Sequence, residues 1–326
     1  MFRWQAKAAA LIASILTACL LAAQEDVIRV NVNLVNVIAT VRNPSGSLVG
    51  NLEKQDFEIY DNGVRQEVAI LHRQTDRALS IALLLDTSGS TAKDLKYETD
   101  AAARFLRALL AEGHPEDAVA LYTFNYEVTQ QRPFTHNYSS LEARLKTLHG
   151  EAGTTLYDAL YLASQALESR SGRKAIVVVT DGGDTFSKTT LKQALEAAQL
   201  ADAVIYPIVV MPITNDAGRN IGGENALTFM AQGTGGRTFM PTVGVELDRA
   251  FTDILAELRT QYLLSFYPRN VPLTGNRYHT LEVRTASKEL RVSARTGYYG
   301  EVESAGGTPA SRNSVSPGKK KNLQEK

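Results

Sequence analysis

Cysteine is all but missing from this chain of 326 residues: Cys19 is its single thiol, so no intramolecular disulfide can form and no thiolate metal site can be built. Histidine is sparse. His72, His114, His136, His149 and His279 are scattered without metal-ligand spacing and read most simply as surface or loop residues. An excess of one charge is lacking too, with 35 basic against 35 acidic residues. No broad field is left to attract nucleic acid or an anionic membrane, so no nucleic-acid partner is expected. Nor does the uncharged run Ala8 to Leu21 reach the roughly 20 residues that a membrane-spanning helix needs.

What does stand at the N-terminus has the form of an export signal, with Arg3 and Lys7 ahead of that apolar run. Leu21-Ala22-Ala23 before Gln24 suits ordinary signal peptidase, which assigns residues 1–23 to the signal. Leu16-Thr17-Ala18-Cys19 resembles a bacterial lipoprotein box that would anchor the chain through Cys19. Ordinary cleavage is favoured, because Leu20-Leu21-Ala22-Ala23 after Cys19 continues the signal and is no polar tether. Without Arg3 and Lys7 the mature chain keeps 33 basic against 35 acidic residues and has no membrane span. A secreted or periplasmic bacterial protein is expected, with an uncleaved N-terminal anchor as the plain alternative.

Apolar residues make up 44% and charged residues 21%, enough for a real core, and the length exceeds that of an ordinary single domain. Two folded units are expected. Residues 27–75 read as an accessory β segment. Val30, Val32 and Leu34 alternate with polar neighbours, the phase flips at Val35, and Asn62-Gly63 between apolar runs signals a hairpin whose return strand is Gln66 to Leu71. Residues 79–268 then alternate buried strands with amphipathic helices, which predicts a doubly wound α/β fold with a mostly parallel central sheet flanked by helices. Its strands are expected at Ser80 to Asp86, Ala118 to Phe124, Val128 to Phe134 as an edge, Ala175 to Val179 and Val204 to Val210. A long helix, about Glu246 to Leu258, leads into Tyr262 to Tyr267. In residues 269–300 the strand pattern returns, with Tyr278 to Arg284 and Glu289 to Ala294 on either side of a Lys288 turn, and these strands are expected to complete the accessory unit. The aromatics Tyr262, Phe266, Tyr267, Tyr278, Tyr298 and Tyr299 read as packing at the junction. Residues 301–326 are polar and lysine-ended, a disordered tail.

The chemistry gathers where buried strands open into helices, which is where α/β folds place ligands. Asp86-Thr87-Ser88-Gly89-Ser90 offers a carboxylate and two hydroxyls at alternate positions of one tight loop, with Gly89 expected to permit the bend. Gly153-Thr154-Thr155 adds a third hydroxyl and Asp181 a second carboxylate. Hard oxygen donors of this kind suit Mg²⁺ or Mn²⁺. Neutral hydroxyls leave such a cation electrophilic and open to a further anion.

In these loops the sequence resembles the von Willebrand factor A family, whose metal-ion-dependent adhesion site is Asp-x-Ser-x-Ser, a Thr in a second loop and an Asp in a third. By that resemblance the metal ligands are Asp86, Ser88, Ser90, Thr154 and Asp181, with no position missing. The stretch Asp56 to Gly63 also looks like that of secreted proteins related to this family, of acidobacterial type. The resemblance implies a non-enzymatic, adhesion-type protein-binding module that completes its Mg²⁺ or Mn²⁺ site with an Asp or Glu of a protein partner. One alternative is a structural or surface-assembly scaffold with a vestigial metal site. The other, a metal-dependent phosphoryl-transfer enzyme, needs a second acid two residues after Asp86, where Ser88 stands. A serine hydrolase is disfavoured because Ser88 is in no Gly-x-Ser-x-Gly elbow. Gly183-Asp184 is read either as tuning the site or as forming its turn.

Overall fold

A computed structural model of the chain describes residues 34–73, 77–211, 220–272 and 277–300. The export signal, Cys19, the alternating stretch before Leu34 and the C-terminal tail lie outside the described residues. Five strands make the central sheet: β5 (Leu79–Asp86), β6 (Ala118–Phe124), β7 (Val128–Thr135), β8 (Arg173–Thr180) and β9 (Ala203–Val209). Their order is β7-β6-β5-β8-β9, parallel except for the antiparallel edge β7. Every residue of β5, β6 and β9 is buried, as continuous apolar runs require when helices cover both faces.

Among the described residues six helices do the covering: α1 (Leu95–Glu112), α2 (Tyr138–Leu145), α3 (Leu156–Glu168), α4 (Leu191–Leu200), α5 (Ile221–Thr234) and α6 (Val245–Thr260). Alternation along each strand sends its side chains to two cores. Ile81, Leu83 and Leu85 pack with Phe105, Leu109, Phe251 and Ile254 of α1 and α6, whereas Ala82, Leu84 and Val178 pack with Leu156, Leu160, Ala198 and Leu227 of α3, α4 and α5. The helix α2 was not expected from the sequence. It buries only Leu141 and Leu145 and is started by Asn137, whose side chain accepts from Ser140 N, so its apolar period is too short to read. Successive strands leave β5 in opposite directions across the sheet, which makes the carboxyl ends of β5 and β8 the switch point of the fold.

The remaining strands form two antiparallel sheets with one shared core. They are β1 (Val35–Arg42), β2 (Phe57–Asp61), β3 (Val64–Gln66), β4 (Val68–Arg73), β10 (Tyr262–Phe266), β11 (Tyr278–Thr285), β12 (Arg291–Ala294) and β13 (Gly297–Tyr299). One sheet runs β12-β1-β10-β4 and the other β13-β11-β2-β3, and Val37, Ala39, Phe57, Ile59, Tyr262, Phe266 and Tyr298 fill the space between. Asn62 and Gly63 make the β2–β3 hairpin at φ 46° and 80°, the left-handed conformation these residues accept. Three expectations need correction. The return strand breaks at Glu67 and its halves join different sheets, β3 to β2 and β4 to β10. The strand Tyr262–Phe266 pairs with β1 and β4 and not with the central sheet, so the change of unit precedes the boundary drawn at 268. Likewise β11 and β12 are no hairpin, since β11 pairs with β2 and β12 with β1.

His279 is also not the surface residue expected. Its Nδ1 lies 3.0 Å from Asp61 Oδ1, its ring stacks on Tyr298 at 4.6 Å, and the Tyr298 hydroxyl donates to Asp61 Oδ2 at 2.7 Å. This cluster ties β2, β11 and β13 together. Glu257 of α6 does the same between layers, pairing with Arg42 of β1 and with Arg237 while its own side chain is only 3% exposed.

Candidate metal-binding site

Parallel pairing of β5 with β8 sets Leu85 opposite Val179, so Asp86 and Thr180 end their strands side by side. Thr180 Oγ1 donates to Asp86 Oδ2 at 2.6 Å, and Ser88 N donates to Asp86 Oδ1 at 2.8 Å. The second bond is the local turn that a short acid makes with the backbone two residues on. Thr91 Oγ1 reaches Asp86 O and Ser88 O at 3.0 and 3.1 Å and closes the loop. These bonds, and not Gly89, hold the bend, because Gly89 has no positive φ and a Cβ there would meet only Glu151 O at 3.9 Å. Ser88 Oγ and Ser90 Oγ lie 3.1 Å apart, so the alternate hydroxyls do converge.

The other two loops pack against this one. Glu151 N donates to Thr87 O at 2.7 Å, and Thr154 O accepts from Thr185 N and Phe186 N at 2.9 and 3.0 Å. Gly153 takes φ 87°, and a Cβ there would press on Tyr126 and Phe186 at 3.1 Å, so this turn does require glycine. Thr154 and Thr155 are both buried, and Thr155 Oγ1 has no hydrogen-bond partner. Asp181 follows Thr180, accepts from Gly183 N at 3.3 Å, and sits on a loop covered by the start of α5. That contact is tight: a Cβ on Gly223 would lie 1.5 Å from Gly182 O. Asp184 takes the local role, accepting from Tyr157 N at 3.3 Å and from Ser187 Oγ at 2.6 Å.

The electrostatics of the site are those of uncompensated acids. Burial pushes the Asp86 carboxyl up to about 6 from 3.8, against the bonds from Thr180 and Ser88, and the charge of Asp181 adds to the rise. Glu98 of α1, which the motif reading missed, is 1% exposed, and its Oε2 has no hydrogen-bond partner. Burial, then the charges of Asp86, Asp94 and Asp181, hold its carboxyl well above the usual range. Its signal was present in the sequence: Leu95, Glu98, Ala102, Phe105 and Leu109 share one helical stripe, and Glu98 is the charge on that apolar face. Among the described residues no lysine, arginine or histidine forms an ion pair with Asp86, Glu98 or Asp181. Nor do three His, Cys, Asp or Glu side chains cluster as ligands among the described residues. What meets at the end of β5 is the Asp86 carboxylate with the hydroxyls of Ser88, Ser90 and Thr180, the charge of Asp181 lying close enough to act on it, a donor chemistry that fits a hard divalent cation.

Residues 81–183 match the von Willebrand factor type A domain family, a span that holds Asp86, Ser88, Ser90, Thr154 and Asp181. The chain carries a von Willebrand factor type A domain. No curated protein matches the sequence. Solved structures similar to it include the conserved hypothetical protein BatB from Bacteroides thetaiotaomicron, 19% identical over 56% of this chain and 98% of that one, TM-score 0.43. Another is the vWF domain of the type V pili tip protein Mfa5 from Porphyromonas gingivalis, 15% identical over 55% and 94%, TM-score 0.47. The PilB minor pilin from Streptococcus sanguinis is 15% identical over 56% and 62%, TM-score 0.45. These likenesses are partial and low, and the assignment of the A domain rests on the matched span and its motif. Among the described residues no helix is long and apolar enough to cross a membrane.

Proposed function

We propose that this protein is an exported, metal-ion-dependent binding module of adhesion type, which recognises an acidic side chain on a protein partner. The observation that carries this reading is the set of buried acids without a cation: Asp86 is fully buried and Glu98 nearly so, with Asp181 adding to the same negative field. A buried, uncompensated carboxylate is expensive, and a fold retains it where an ion offsets it. Asp86 and Asp181 would be the charged anchors; Ser88, Ser90 and Thr154 would contribute neutral hydroxyl oxygens. Bound Mg²⁺ or Mn²⁺ would supply a Lewis-acidic centre to which a partner's Asp or Glu can add an oxygen.

The surface around the loops suits a protein partner. Tyr126 and Phe186, on either side of Gly153, are 56% and 62% exposed, and Ile221 at the start of α5 is 62% exposed. Large apolar side chains beside a charged centre give a partner's acidic residue contact area as well as charge. Within the site Ser88 Oγ is bonded to Ser90 Oγ and to no histidine, which favours binding over nucleophilic chemistry.

The test is thermal unfolding of the protein with and without Mg²⁺ or Mn²⁺, beside Asp86→Ala. A midpoint that rises with metal in the wild type alone supports the reading. Equal shifts in both proteins, or none in either, would remove its basis and leave a scaffold whose partner binding is indifferent to chelator.

A further inference from the structure

At the opposite end of the central sheet, below the amino ends of β8 and β9, lies a cavity of about 260 Å³ whose walls come from both layers of the protein. Arg170, Arg173 and Lys174 enter from the α3–β8 turn and β8, Arg77 from the approach to β5, and Arg295 from the residue after β12. Asp202 is the single acid among its lining residues. Most of these cations are held by neutral groups. Arg170 Nε donates to Ser80 Oγ at 3.0 Å, Arg173 Nε to Arg77 O at 3.0 Å and its Nη1 to Leu258 O, and Lys174 Nζ to Glu168 O at 3.2 Å. Arg295 pairs with Asp202 at 2.5 Å and donates to Asn36 O, yet its buried Nε has no partner at all. Arg173 and Arg295 are 6% and 9% exposed.

Five cations line this space with Asp202, while Asp117 acts on Arg173 and Glu168 on Lys174 from outside it, so positive charge stays in excess, and two of the cations have been taken out of water. Backbone carbonyls fix their positions but supply no countercharge. An oxyanion supplies it: guanidinium groups present forked donors to phosphoryl oxygens, and lysine adds a point charge. Ile38, Val204 and Leu263 add aliphatic surface to the lining. The volume is just below the roughly 300–1,000 Å³ of pockets for drug-sized ligands, so the occupant is small. We propose that this cavity is an anion-binding site for a phosphoryl group, either free phosphate or a small phosphate monoester whose organic part rests on the aliphatic surface. The proposal is independent of the metal reading, since none of the proposed metal ligands lines this cavity.

The test uses metal-free protein and follows thermal unfolding in inorganic phosphate, in phenyl phosphate and in NaCl at matched ionic strength. The expected result is a saturable rise in midpoint with phosphate that NaCl does not reproduce, unchanged in Asp86→Ala. Tighter binding of phenyl phosphate would assign the site to a monoester, and equal binding to the free ion. Arg77→Gln with Lys174→Gln changes the rim and should weaken binding about tenfold or more. Lys93→Gln with Lys192→Gln removes the same charge from exposed positions elsewhere and should bind as the wild type does. Stability of each variant in NaCl alone reports whether it has folded. A phosphate response no larger than that of NaCl, or one that both double variants lose equally, would overturn the proposal.

Discussion

Asp86→Asn should stabilise the metal-free protein at neutral pH while abolishing its response to metal. The substitution keeps the shape of the side chain and removes its charge. The folded-state value of about 6 lies roughly two units above the ordinary 3.8, so the native state binds the Asp86 proton more tightly than the unfolded chain does. The stability lost to this group therefore grows as pH rises from about 4 to about 6 and is complete above that window. At 1.36 kcal/mol per unit the loss is about 3 kcal/mol. Asparagine can still accept from Ser88 N, but its amide must face Thr180 Oγ1, which already accepts from Gly182 N, and the disturbed bonds cost about 1 kcal/mol. The variant should therefore gain about 2 kcal/mol at pH 8, roughly 4–8 °C in midpoint, and gain nothing or lose slightly at pH 4. With Mn²⁺ at a hundred times its Kd the order reverses, because only the wild type gains the corresponding ~2.7 kcal/mol. The assay is thermal or urea unfolding of both proteins at pH 4 and 8, dialysed free of metal and then with Mn²⁺ restored. A variant that is equally destabilised at both pH values would mean that the Asp86 charge is offset within the protein. One that responds to Mn²⁺ as the wild type does would place the metal elsewhere.

Glu98→Gln should likewise stabilise the metal-free protein increasingly as pH rises, because its folded-state value is raised and only its charged form is disfavoured; a difference from wild type that stays flat across pH in urea unfolding would refute this. Gly223→Ala puts a Cβ 1.5 Å from Gly182 O and must push the Asp181 loop away, which should destabilise by about 1–3 kcal/mol and remove the Mn²⁺-dependent midpoint shift. Glu257→Ala strands the mostly buried Arg42, while Arg237 keeps Asp253 at 3.6 Å, and should cost about 3 kcal/mol in chemical denaturation, with the Mn²⁺ shift retained.

The central sheet was legible because β5, β6, β8 and β9 are short, largely apolar runs separated by helices of clear period, and because β5 and β8 end on the polar residues Asp86 and Thr180. Asp86, Ser88 and Ser90 could be read together since they share one loop. Asp181 could be read because it directly follows the end of the adjacent strand, a neighbour relation that parallel pairing of β5 with β8 enforces. The β sandwich was less legible for a physical reason: β1, β10 and β4 pair across more than 180 positions of chain, and alternation says which face a residue takes but not which strand it meets. His279 illustrates the consequence. Its partners Asp61 and Tyr298 come from β2, 218 positions earlier, and from β13, 19 positions later, so no local pattern distinguishes it from a surface histidine. Glu98 and the basic cavity belong to a different category. A charge on the apolar stripe of α1 is visible in the sequence as a broken rule, but its meaning needs the second strand end that brings Asp181 beside it. Arg77, Arg173 and Arg295 break no local rule at all, and only the meeting of both layers brings three ordinary arginines to one cavity. Motif reading therefore groups candidate residues carried by a single turn or by neighbouring strand ends, and it is blind to charge assembled from distant segments.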